Sequence, residues 1–524
     1  MITTTNIARR VAGTTVALAA LVCTSVALGA PGVAPAPLVP GAHQLGPAID
    51  TGKPAATIQL LKATPEIAKA GSDFTVTGSG LPANKDVVLT WSTATVDWLL
   101  DARPDSVDYL GRKATKYNVQ LGVGHTDASG ALNVTVKAPE DWGGMHDIYA
   151  VVDGAQVAKG GFLVKRWAEI TPKRGPIGAP VTVTFHGIGS PLYEASMAMM
   201  YDNKFVGQLT ANWTRGTAVA HIRASGPVGR HVIFLMDAVT YGYMNIPQSP
   251  NPWAVGAKLS FEVTKDAGRP AARTDWPSKV APTMTQFTTL LPDATKSVSG
   301  LVAAQGALSA TSGQILAKVD VTASGLTPNA SVDLQWASVV GNRVNCTGVC
   351  WATMNVPLGT ATATAGGSLK SNITVPDGLG GWHAVQVIQN GVVKAQMPFF
   401  VKRSFAEAQP VSDLTLRAGQ HFTIHLKGLG WTQLDNTIAV DYDNAYIGYG
   451  CGFNSQGDTL LNLTATGAPG THLIDMYPLL YTQQPWYANT PYGMIPMLTY
   501  ANDMPGLALG YELPAMRLAI TVVK

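Results

Sequence analysis

The sequence predicts an all-β chain of four tandem β-sandwich domains, arranged as two duplicated halves of two domains each. Three observations carry this. Four short runs alternate apolar and polar residues and end on glycine: "DFTVTGSG", "VTVTFHGIG", "AKVDVTASG" and "HFTIHLKGLG", closing at Gly80, Gly189, Gly325 and Gly430. Such alternation marks a strand with one buried face, and the glycine a turn or bulge where it stops. Stretches also recur at a nearly constant offset. "SGLPANKDVVLTW" (79–91) matches "SGLTPNASVDLQW" (324–336), 245 residues on, and "GPVGRHVIFLMDA" (226–238) matches "GAPGTHLIDMYPL" (467–479), 241 on. Finally, the strand starts recur about every 100 residues with turn signals between them, the spacing of a β-sandwich.

Taken in order, residues 1–29 read as an export signal. Arg9 and Arg10 precede an apolar run over 11–28, and "ALG" offers small residues at a cleavage site. Residues 30–56, rich in Pro, Ala and Gly, read as a flexible stalk. Domains follow at 57–165 and 166–265, a linker at 266–307, then domains at 308–402 and 403–524. The offset falls from 245 residues to 237 at "APEDWGGMHDIYAVVDGAQVAKGGFLVKR" (138–166) against "VPDGLGGWHAVQVIQNGVVKAQMPFFVKR" (375–403), placing eight extra residues in the first domain.

Charged residues make up 13% of the chain and the net charge is +3, with no basic run, so nucleic acid is excluded as a partner. The signal places the protein outside the cell or on its surface, where disulfides persist. Cys346 and Cys350, in "NCTGVCW", are spaced to close a small loop. Cys451 is then odd, read as a buried thiol ahead of an intermolecular link. No cofactor or metal site is expected.

The repeated Tyr-Asp-Asn of "MAMMYDNKFVGQL" and "IAVDYDNAYIGYG" reads as a two-residue hairpin turn, because type I′ turns need two residues that tolerate positive φ. Asp153-Gly154 and Asn390-Gly391 carry the same chemistry and are read as its equivalents in the other two domains. Calcium at Asp202 or Asp443 is the rival reading and needs more converging carboxylates than the local sequence supplies. His146, His231, His383 and His472 each follow a glycine at a strand start, which fits a hydrogen-bonding role there.

At this point the units resemble bacterial immunoglobulin-like modules of the IPT/TIG type. The resemblance lies in the opening "G-x-x-(F/V)-T-V-x-G-x-G", the "V-x-(A)-P" strand end and the final "dG…F-V" hairpin. It implies spacers, adhesins or ligand-binding platforms, and the fold does not fix which.

No G-x-S-x-G elbow, H-E-x-x-H or P-loop occurs, and no catalytic residues are assigned. Aromatic residues cluster before the last strand of the second and fourth domains, "DAVTYGYMNIPQSPNPW" (237–253) and "DMYPLLYTQQPWYANTPYGMIPMLTYANDMPGLALGYELP" (475–514), the fourth being eighteen residues longer. Long loops on stiff sandwiches are where binding is usually placed, and aromatic rings give contact area with little entropy to lose. The candidate ligand-binding residues are therefore Tyr241, Tyr243, Trp253, Tyr477, Tyr481, Trp486, Tyr487 and Tyr492. The competing expectation is that the loops fold back onto their own sandwiches. The function expected is a non-enzymatic surface or secreted protein, binding or structural, whose partner is an extracellular glycan or protein. A polysaccharide-acting enzyme or accessory carbohydrate-binding protein, and a self-associating surface-layer or filament subunit, are the alternatives.

Overall fold

Among the described residues, a three-stranded layer facing a five-stranded one, joined in one fixed order, recurs in four stretches, with added strands in the first and fourth. In its plainest form Gly306–Leu308, Lys318–Ala323 and Leu369–Thr374 make the smaller sheet. Ser312–Gly313, Val392–Val401, Gly381–Gln389, Ser331–Gly341 and Trp351–Thr362 make the larger, in that spatial order. The alternation read from the sequence is the cause: Val319 and Val321 point inward to meet Leu334, Val385 and Phe399 of the facing sheet. The computed structural model describes residues 32–33, 45–103, 106–189, 196–237, 244–245, 248, 257–277, 305–342, 350–407, 414–481 and 494–524. Residues 1–29, read from the sequence as an export signal, lie outside them, and no helix among them is long and apolar enough to cross a membrane.

The second repeat sets Trp167–Thr171, Pro180–His186 and Ala218–Arg223 against Arg174–Gly175, Lys258–Val263, Gly229–Asp237, Ser196–Tyr201 and Lys204–Thr210. The fourth sets Ser404–Phe405, His421–Lys427 and Thr459–Thr464 against Thr415–Arg417, Ala515–Val523, Gly470–Pro478, Thr437–Tyr442 and Ala445–Cys451. In the first repeat, Pro54–Thr64 pairs with both layers and joins them into one nine-stranded sheet.

The described parts of two segments read as loose connectors, 45–56 and 266–277, are ordered parts of the sandwiches. In the stalk, Ile49 donates its amide to Asn118 and Gln156 donates to the buried Thr51 hydroxyl at 2.7 Å. In the linker, Arg273–Asp275 pairs antiparallel with Ala515–Val523 and becomes an extra strand of the fourth repeat. Extended chain beside an open sheet edge finds partners for its backbone groups there, which a solvated tether would leave to water.

The four turn pairs share backbone geometry but not position. Asp202, Asn203, Asp443 and Asn444 all have positive φ, as do Asp153, Gly154, Asn390 and Gly391. The Asp-Asn turns join Ser196–Tyr201 to Lys204–Thr210 and Thr437–Tyr442 to Ala445–Cys451. Asp153-Gly154 and Asn390-Gly391 instead close the last hairpins of the first and third repeats, Gly144–Val152 with Ala155–Val164 and Gly381–Gln389 with Val392–Val401. They are therefore not equivalents of the Asp-Asn turns. Where one hairpin is tight, the other is long. The first repeat extends Asp86–Arg103 and Ser106–His125 as a paired arm, whereas the fourth places its long insertion between Gly470–Pro478 and Ala515–Val523.

Arm and insertion meet in one core. Trp98, Leu100 and Val107 of the arm pack in the same cluster as Met197, Leu209 and Trp213 of the second repeat. Trp382 and Phe400 of the third repeat, and Leu498, Tyr500, Leu509 and Tyr511 of the insertion, belong to it too.

Candidate functional site

Four histidines occupy the third position of equivalent strands, and all four are structural clamps. Nε2 of His146, His231, His383 and His472 lies 2.7–2.9 Å from the carbonyl four residues earlier, on Trp142, Pro227, Leu379 and Ala468. Each imidazole stacks on a ring of the adjacent strand: Trp91, Tyr201, Trp336 and Tyr442. In the second and fourth repeats the Asp of the hairpin turn completes the clamp. Asp202 and Asp443 reach His231 and His472 Nδ1 at 2.5 and 2.6 Å, and their other oxygens accept the amides of Val232 and Leu473. The hydrogen bond that His472 donates to the Asp443 carboxylate raises its pKa above the ordinary value. His383 is fully buried with no such carboxylate, and desolvation lowers it to about 4.

Of the sequence-predicted ligand-binding residues, Tyr241, Tyr243, Trp253, Trp486, Tyr487 and Tyr492 lie outside the described residues. Tyr477 is in the core at 0% exposure, so its ring is not a surface platform. Tyr481 is half-buried beside Leu479 and Met494, and its amide donates to Gln433 O at 3.0 Å. The described part of the insertion is turned inward. Leu498, Tyr500, Met504 and Tyr511 are at most 2% exposed. Thr210 Oγ1 lies 2.8 Å from Thr499 Oγ1, and the Asp503 carboxylate accepts the amides of Asn212 and Trp213 at 2.7 and 3.3 Å. Burial raises the Asp503 pKa to about 6. Cys350 is disulfide-bonded and Cys346 lies outside the described residues. Cys451, expected buried, is exposed, because the edge strand that carries it turns alternate residues outward.

Sequence reasoning missed a row of charge between the second and fourth repeats, buried except at its Arg273 end. Asp441, Asp475, Arg517 and Arg273 stand opposite one another across four adjacent strands. Their neighbours Ile474, Met476, Met516 and Leu518 face the fourth repeat's own core, so Asp475 and Arg517 point out of it, toward the second repeat. There Arg223 donates from Nε to Asp475 Oδ1 at 2.8 Å and from Nη2 to Leu518 O at 2.6 Å. Arg517 donates to Tyr477 Oη at 2.7 Å, to His221 O at 2.8 Å and to Asp275 Oδ2 at 3.1 Å. Burial works against the Arg517 charge, but the Tyr477 phenol, the Asp475 carboxylate and the Tyr500 phenol hold its pKa above the usual value. Asp441 has no hydrogen-bond partner for either oxygen, and burial followed by the repulsion of Asp475 pushes its pKa well up. A signal for this row is present in "AHIRA", "LIDMY" and "AMRLAI": one charge set between apolar residues on both sides, as in a strand buried on both faces.

Asp441 and Asp475 converge, yet each is at most 1% exposed, so a substrate cannot reach them. Solvent meets this junction at a cleft of about 240 Å³ in front of Arg517. Thr182 and His221, paired across the smaller sheet of the second repeat, form one wall. Arg273, Asp275 and Trp276 form the other, with Tyr500 at the base. Asp275 bridges Arg273 and Arg517 at 3.0 and 3.1 Å. Trp276 is 40% exposed, and Lys402 Nζ lies 4.8 Å from its ring centroid. Burial, then the Arg517 charge, lowers the His221 pKa and keeps the ring neutral.

No protein-family model matches the chain, and no curated protein matches it. Among solved structures it is similar to E. coli alpha-2-macroglobulin, 9% identical over 87% of this chain with a TM-score of 0.16. The chain spans only 30% of the length of that protein and of its Salmonella counterpart. The D1-D4 ectodomain fragment of ICAM-5 is 12% identical over 89% of this chain and 100% of its own, with a TM-score of 0.19. Invasin, a bacterial integrin-binding protein, is 11% identical over 80% of this chain and 76% of its own, with a TM-score of 0.17. At these scores the neighbours add no argument to the strand order. That order, an outer three-stranded sheet packed on a five-stranded one with hairpin and cross-sheet connections, decides the matter. The fold is immunoglobulin-like. In an immunoglobulin-like sandwich the loops gather at the two ends, and here the described part of the longest one is spent on packing rather than left exposed.

Proposed function

We propose that the chain is an exported, non-enzymatic surface or secreted protein whose work is binding or mechanical support. Its body is a stiff array of four immunoglobulin-like modules at 57–165, 166–265, 308–402 and 403–524. The observation that carries this reading is the core shared by arm, insertion and all four repeats, because tandem modules joined only by linkers move relative to one another by default. The sealed carboxylates support the non-enzymatic part, and the apolar N-terminal run behind Arg9 and Arg10 supports export. The partner is an extracellular glycan or protein. The aromatic residues Tyr241, Tyr243, Trp253, Trp486, Tyr487 and Tyr492 remain its proposed contacts, together with Tyr481. The test is location. Intact producing cells, labelled with antibody before and after external protease, should show a protease-sensitive surface signal, or the chain should appear in the medium. Recovery in the cytosolic fraction alone would overturn the proposal.

Self-association is the second reading. Ile447 and Tyr449 project side by side from the Ala445–Cys451 strand, 51% and 41% exposed. Light scattering over a range of concentrations should then show growing oligomers; a strict monomer throughout removes this reading.

A further inference from the structure

The cleft in front of Arg517 is small, charge-balanced and lined by an exposed indole. Three properties decide the ligand class. The first is size. At about 240 Å³ the cleft is smaller than the roughly 300–1,000 Å³ of sites that engulf drug-sized molecules. It therefore takes a single ring, free or as one residue of a longer chain.

The second is charge. Every charged group at the cleft already has a partner of opposite sign. Asp275 is shared by Arg273 and Arg517, Arg517 also meets the Asp475 carboxylate at 3.3 Å, and Lys402 meets Glu512 at 2.5 Å. A charged ligand would have to break one of these pairs, so no net field selects an anion or a cation. Hydroxyl groups, which both donate and accept, need no such exchange. They find acceptor capacity on Asp275, donors on Arg273, the Thr182 hydroxyl and the neutral His221 imidazole.

The third is the platform. The Trp276 indole is 40% exposed and lines the cleft together with Pro180 of the second repeat. Lys402, itself tied to Glu512, lies over one face of the ring, so a sugar stacks on the other. The negative face of an aromatic ring attracts the weakly positive C–H bonds on one side of a pyranose.

We propose that this cleft binds a neutral pyranose, its C–H face against Trp276 and its hydroxyls on Asp275, Arg273 and His221. The proposal rests on the surface or secreted role above only in that such a protein meets glycans.

The test uses the full chain and saturation-transfer NMR. The probes are methyl glycosides of glucose, galactose and mannose and free N-acetylglucosamine, with glucuronate and glucosamine as charged controls. Saturable transfer to the ring C–H protons of at least one neutral sugar is expected. Trp276→Ala should weaken it about tenfold or more and Trp276→Phe should restore part of it, with both variants keeping the cooperative unfolding transition of the wild type. Absence of transfer with all four neutral sugars, equal affinity in Trp276→Ala, or tighter binding of either charged control would overturn it. The location experiment fails independently. A surface chain that binds no sugar sinks only this proposal, and a cytosolic chain that binds one sinks only the other.

Discussion

The duplicated Tyr-Asp-Asn shows how one residue acquires a new task without changing its backbone. Asn203 and Asn444 share positive φ, 65° and 56°. Asn203 is exposed. Asn444 is 2% exposed, and its amide donates to Arg223 O at 2.8 Å and Ser225 Oγ at 2.7 Å, gluing the fourth repeat to the second. Glycine suits both conformations. Asn203→Gly should therefore leave stability within a few tenths of a kcal/mol, whereas Asn444→Gly should cost about 1–3 kcal/mol by stranding buried acceptors. Equal effects in denaturant titrations would contradict the assignment. The His472 clamp makes a pH prediction. Its pKa is raised in the fold, so the stability it adds is complete below the ordinary 6.5 and is lost as pH rises through the raised value. Asp443→Asn should flatten that part of the stability–pH curve; an unchanged slope would rule the clamp out as its source.

At the scale of elements, the insertion is held by few but specific bonds. Its backbone pairs with the edge strand Lys204–Thr210, where Gln208 donates to Pro496 O at 2.8 Å and Leu498 to Gln208 O at 3.0 Å. Asp503→Ala removes the acceptor of two buried amides and should cost about 1–3 kcal/mol. Hydrogen exchange should speed up at Asn212, Trp213 and Leu498 while the His421–Lys427 strand stays protected. Uniform protection would mean that the insertion is anchored elsewhere. The strands themselves were legible, because Lys318–Ala323 and His421–Lys427 alternate inward and outward as their sequences do. The inward turn of the insertion was not. An apolar aromatic loop reads alike whether it meets a partner or its own chain, since burial depends on what lies opposite.

For the whole molecule, the charge row decides whether the two halves unfold together. Asp475→Ala would leave Arg223 and part of Arg517 buried without their carboxylate, a loss of about 3–5 kcal/mol for a broken buried pair. Calorimetry should show the wild-type second and fourth repeats melting in one transition, and that transition shifted down as a unit in the variant. Two separate transitions in the wild type would sink the picture of a welded body.

By itself the sequence determined the all-β class, the duplication, the four glycine-ended strands and the positive-φ hairpin turns. These follow from period-two burial and positive-φ tolerance, which are properties of neighbours along the chain. The tertiary structure alone decided that the linker becomes a strand, that Arg223, Asp475 and Arg517 meet, and that a cleft opens beside Trp276. Those facts join residues some 250 positions apart, such as Arg223 and Asp475. Their pairing depends on the packing of one sandwich on another, which no local pattern encodes.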